Sequence, residues 1–187
     1  MVRVKGSLHN TAVSWDAICR WNKPCCGILL KMNDVDPLDA RILLALDDDP
    51  DATTLGLART LGVARNTVHA RLRRLARTTL RPFSHRVDPA ALGYRLVAFV
   101  SLSISQHTGH LTVPGLSRLP EVIEIHSISG PADFLVKVVA LDTEDLYRVT
   151  NAILAVDGVV RTDTAISLME AMPTRIRPLL ESVAGTD

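Results

Sequence analysis

Residues 52–87 hold eight arginines (Arg59, Arg65, Arg71, Arg73, Arg74, Arg77, Arg81 and Arg86) and not one acid over 36 positions. A solvated protein face normally mixes signs, so a one-signed stretch of this length points to a polyanion. Several of its side chains can also read a partner. Asn66 can pair bidentately with adenine and Arg65 with guanine, while Thr67 can contact a base or a phosphate. Arg71, Arg73, Arg74 and Arg77 suit phosphates, where they release counterions and position a helix without reading sequence. Ala70 shares the outward side with Asn66, Thr67 and Arg74.

Three short helices over 34–76 position these groups. Asp36 can cap the first, Pro37 takes its first helical position, and Leu38, Ile42, Leu43 and Leu46 fall on one face. Asp47, Asp48, Asp49 and Pro50 end it, and three acids at that end oppose the helix dipole. The second helix starts at Thr53 or Thr54, buries Leu55, Leu57, Ala58 and Leu61, and stops at Gly62, whose missing Cβ suits a tight turn. The third runs from about Ala64 to Ala76 and buries Val63, Val68, Leu72 and Leu75. Two helices joined through a glycine turn, the second Arg-rich outside, make a helix-turn-helix of the winged-helix-like type, whose second helix fits the major groove of double-stranded DNA.

Residues 77–94 form a hinge, with a short strand expected over 83–87. A βαββαβ rhythm follows over 95–170. Strands are expected at 95–105, 121–129, 134–141 and 159–169, with a broken helical turn at 111–119. A helix capped by Thr143 spans 143–156. That order predicts a ferredoxin-like sandwich, so the fold class is α+β. Its second sheet face also carries Ile, Val and Leu, which predicts a homo-oligomer. Residues 171–187 read as a C-terminal tail.

Residues 36–76, "DPLDARILLALDDDPDATTLGLARTLGVARNTVHARLRRLA", resemble the N-terminal domain of the Lrp/AsnC (leucine-responsive, feast/famine) transcriptional regulators. The match runs through Asp39–Leu43, Leu57-Ala58, Gly62-Val63, Val68 and Arg71–Leu75. "ALGYRLVAFVSLSI", "SISGPADFLVKVVA" and "VDGVVRTDTAISLME" are similar to the family's effector domain. The resemblance covers about 72% of the chain, positions 36–170. It implies a cytoplasmic, sequence-specific DNA-binding regulator that forms a homodimer, often assembling to an octamer. It also implies a small effector, usually an amino acid, with candidate contacts at Ser129, Gly130, Asp133, Thr162 and Thr164. Three features depart from the family pattern: Ala64 stands where a Ser usually caps the recognition helix, Thr78-Thr79-Leu80 where Gly and a β-branched pair usually follow it, and Pro131 where an acid usually follows the glycine.

Cys19, Cys25 and Cys26, with both tryptophans, lie in the first 26 residues, and nothing after them can form an intrachain disulfide. Residues 1–33 read as a poorly ordered extension, Met32 being an alternative start. Adjacent cysteines with no CxxC pair are poor chelators, so no metal is assigned. No Ser/His/Asp or Cys/His constellation stands out, so no catalytic residue and no cofactor is assigned either. No apolar stretch reaches the ~20 residues a membrane span needs. Two other readings compete: a tetrapyrrole (sirohaem-type) decarboxylase on the same two-domain fold, using His107, His110 or His126, and a low-specificity DNA organiser.

Overall fold

The computed structural model describes residues 34–105 and 107–185, so the cysteines and the expected extension over 1–33 lie outside it. Helix α1 (Pro37–Asp48) opens on a capping box made of two aspartates. The Asp36 carboxylate accepts from the Asp39 N–H, and the Asp39 carboxylate accepts from the Asp36 N–H. Two otherwise orphaned donors are thereby satisfied, and Pro37 at the first position has none to satisfy. Helix α2 (Thr54–Leu61) is capped by Thr53, whose hydroxyl accepts from the Gly56 N–H at 3.0 Å. Gly62 ends it at φ 68°, a left-handed conformation that favours glycine. Helix α3 (Arg65–Thr78) begins at Ala64, which offers no side-chain cap. Ile42, Leu57, Ala58 and Val68 form the centre of this head, with Leu38, Ala45, Leu46, Leu61, Val63 and Leu72 packed around them.

The hinge differs from expectation. Phe83–Arg86 is a 3-10 turn instead of a strand, and a second turn, Pro89–Leu92, follows it, capped by Asp88. Local bonds take the backbone donors there: the Val87 N–H goes to the Ser84 carbonyl and the His85 N–H to the Pro82 carbonyl. Among the described residues two 3-10 turns follow α3 before the first strand.

The second unit is a four-stranded antiparallel sheet in the order β2-β3-β1-β4, built from β1 (Leu96–Ile104), β2 (Val122–Ser127), β3 (Phe134–Ala140) and β4 (Val159–Ile166). Helices α4 (Thr112–Leu116) and α5 (Thr143–Leu154) cover one face. Alternation sends Ala98, Val100, Leu102, Val136, Val138 and Ala140 into that layer, where they meet Leu116, Leu146, Val149 and Ile153. The cap of α5 is Asp142, one residue before the expected Thr143; its carboxylate accepts from the Asp145 N–H at 2.8 Å. The opposite face carries Phe99, 38% exposed, with Leu135 and half-buried Val97 in the centre. Charges flank that centre on both sides: Glu124 with Lys137, and Arg161 with Asp163.

Part of the expected tail is helical. Helix α6 (Arg177–Ala184) packs along α1, and the Arg177 guanidinium reaches Asp48 at 2.7 Å. Ala40 is fully buried without belonging to the three-helix cluster, and Leu43 and Leu44 are partly covered. The head is thus clasped by the last helix of the chain, and one of the three acids at the end of α1 gains a cation.

Candidate nucleic-acid interface and effector site

Helix α3 presents its polar side outward because Val68 is anchored in the head and Leu75 is fully buried. Arg65, Asn66, Thr67, Ala70, Arg73 and Arg77 are all exposed. At about 100° per residue, Asn66, Ala70, Arg73 and Arg77 fall within ~60° of one another, opposite Val68. A short residue at Ala70, between longer neighbours, lets a backbone edge come close to that side. The combination of amide, small residue and two free-ended guanidiniums is the equipment for entering a groove and holding its rim.

Two of the expected phosphate ligands are used differently. Arg71 Nη1 donates to Asp39 Oδ1 at 2.9 Å and also to Asp36 Oδ2. Arg74 donates to Asp39 Oδ2 through one nitrogen and to the Asp34 carbonyl through the other, at 2.8 Å. The Asp39 side chain has no solvent exposure at all. The start of α1 crosses the flank of α3, so Arg74, expected on the outward side, lies against acid. The Arg71 guanidinium holds the Asp36 carboxyl below its usual range, and the acids hold Arg71 above its own. The pairing of Asp36 and Asp39 with these arginines was missed in sequence. A signal for it existed: acids three apart on α1 match arginines three apart on α3.

Of the expected effector residues, Ser129, Gly130, Asp133 and Thr162 lie toward one end of the sheet, while Thr164 lies at its middle. Ser129 and Gly130 lie exposed in the β2–β3 turn, with Gly130 at φ 132°, a value that favours glycine. Asp133 flanks β1: its carboxylate accepts from the Ile104 N–H at 2.9 Å, and its own N–H donates to the Leu102 carbonyl at 2.8 Å. Thr162 pairs with Leu102 from the other side of β1, and Thr164 pairs with Val100. Asp133 and Thr162 are therefore about two strand spacings apart, roughly 10 Å. One Asp133 oxygen is engaged in the fold by the Ile104 N–H. His126, raised in the enzyme reading, hydrogen-bonds Glu124 at 3.1 Å on the open sheet face, and that contact lowers the glutamate's pKa. Among the described residues no group of His, Cys, Asp and Glu is arranged to hold a metal ion, and no helix is long and apolar enough to cross a membrane.

Comparison with known proteins agrees with this arrangement of parts. Residues 35–76 match the AsnC-type helix-turn-helix domain, and residues 97–176 match the Lrp/AsnC ligand binding domain. The HTH-type transcriptional regulator AldR of Mycolicibacterium smegmatis is 35% identical over 142 residues, covering 73% of this chain and 83% of the relative. Among solved structures, E. coli AsnC superposes with a TM-score of 0.67 at 28% identity, covering 77% of this chain and 99% of that one. The feast or famine regulatory protein of M. tuberculosis, complexed with L-methionine, superposes with a TM-score of 0.66 at 27% identity, covering 75% of this chain and 96% of that one.

Proposed function

The chain belongs to the Lrp/AsnC family of transcriptional regulators, which are not enzymes, and from that premise we propose how its own residues do the work. The α3 helix enters the major groove of double-stranded DNA, where Asn66 reads adenine and Arg65 and Thr67 contact bases or phosphates near the helix start. Arg73 and Arg77 hold the backbone. The single observation that carries this reading is the exposed arc of Asn66, Ala70, Arg73 and Arg77 on a helix anchored from behind by Val68 and Leu75.

The second unit binds a small zwitterion, an amino acid, at the sheet surface marked by Ser129, Gly130, Asp133, Thr162 and Thr164. The L-methionine complex of the M. tuberculosis relative supports the ligand class. Pro131 removes a backbone donor and a charge from the turn, so the Asp133 side chain takes the ammonium while the threonine hydroxyls donate to the carboxylate. Two copies associate through the open sheet face, which has the apolar centre and charged rim of a protein interface. Further association to an octamer extends the same logic. A dimer reads an inverted repeat with half-sites about one helical turn apart.

Selection of bound duplexes from a random pool tests the reading, followed by binding of the winner and of random duplex at stated salt. An inverted repeat preferred at least ~10³-fold is expected. In Asn66→Ala that preference falls by about 1–3 kcal/mol at one position per half-site. Equal binding to every duplex would leave the low-specificity organiser as the function.

A further inference from the structure

We propose that Asp39 is a positioning residue for DNA recognition: it sets the rotation of α3 about its own axis, and Arg71 and Arg74 serve it in place of the phosphates. The inference rests on the major-groove reading of α3.

The geometry is a closed network. The Asp39 carboxylate, fully buried, receives Arg71 on one oxygen and both Arg74 and the Asp36 N–H on the other. Asp36 takes Arg71 on its outer oxygen, and Arg74 also donates to the Asp34 carbonyl. Two carboxylates face two guanidiniums, so the cluster is neutral as it stands. A phosphate that drew either arginine away would leave a buried carboxylate short of a partner, a far larger cost than one exposed phosphate contact repays. These guanidiniums therefore release few counterions when DNA binds. The counterion release of α3 comes from Arg65, Arg73 and Arg77.

The placement of the network explains its use. On the helical wheel Arg71 and Arg74 stand beside the Asn66–Arg73–Arg77 arc, not on it. A carboxylate gripping both pins the wheel angle of that arc. A rotation of about 20° would sweep a side-chain tip ~6 Å from the axis through ~2 Å, enough to make or lose a base contact. Hydrophobic packing of Val68 and Leu75 is non-directional and tolerates such a turn far better than paired charged hydrogen bonds do.

The test measures affinity against salt for full-length wild type, Arg73→Ala, Arg71→Ala, Arg74→Gln and Asp39→Asn, on the selected duplex and on random duplex. Circular dichroism melts confirm that each is folded. Arg73→Ala is expected to flatten the salt slope by about one unit. Arg71→Ala and Arg74→Gln are expected to keep the wild-type slope on random duplex while preference for the selected site falls at least ~10-fold. Asp39→Asn removes the buried charge that both guanidiniums share, so its slope on random duplex steepens as its preference collapses. Slopes for Arg71→Ala or Arg74→Gln that flatten as Arg73→Ala does would overturn the proposal, as would full selectivity in both. If Asp39→Asn does not fold, the two arginine variants decide alone. Wild type that prefers no duplex would instead overturn the groove reading itself, a result separable from either.

Discussion

Asp36 sits at the junction of two tasks, capping α1 and holding Arg71. Its carboxyl is depressed below the ordinary value of 3.8, chiefly by the Arg71 hydrogen bond. A depressed acid contributes stability that is complete above its ordinary pKa and is lost as pH falls through the depressed one. Urea unfolding of wild type and Asp36→Asn should therefore differ most near pH ~6 and converge toward pH ~2, since asparagine keeps the cap but not the ion pair. Midpoints that stay equally far apart across that range would count against the pairing. The capping role of Asp36 and the proline after it were legible in sequence because both are local rules. The partners of Arg71 and Arg74 were not, because the acids lie 32 and 35 residues away and nothing local says which arginine meets them. The matching i, i+3 spacings were the legible trace.

At the level of the elements, helices with strong apolar spacing were readable to within two residues, and the strand order of the sheet followed from their sequence. Ends set by hydrogen bonds were harder. The cap of α5 moved to Asp142 because its carboxylate reaches the Asp145 N–H, a competition between neighbours that composition does not decide. The expected strand over 83–87 became a turn because a strand needs a neighbour, and its donors found partners two or three residues away. The recognition helix remains the least well capped of the head. Ala64 has φ −65° and ψ 139°, an extended conformation that a serine cap also uses. Ala64→Ser should stabilise the head by about 1 kcal/mol through a hydroxyl accepting from the Asn66 N–H, read as a higher midpoint in a thermal melt. An unchanged or lower midpoint would mean that the helix start is already satisfied.

For the molecule as a whole, the two-unit plan was legible, while the fate of the tail was not. Residues 177–184 have no periodicity long enough to separate a docked helix from a frayed end, and their docking site on α1 lies far away in sequence. The open sheet face was legible as unpartnered, but its charged rim only emerged from register. If that face joins two copies, Phe99→Arg sets a second cation directly opposite Lys137 at its centre. Sedimentation should then show the dimer dissociating, with the helical content of each copy retained. A dimer that survives the substitution at micromolar concentration would place the interface elsewhere.

The clasp of α6 on α1 also has a consequence during synthesis. Arg177 leaves the ribosome 129 residues after Asp48. At ~5–20 residues per second, the nascent head waits about 6–26 s with the side of α1 around Ala40 and Leu44 open to other proteins. A chaperone that recognises short leucine-rich segments has that interval, and no longer, in which to bind.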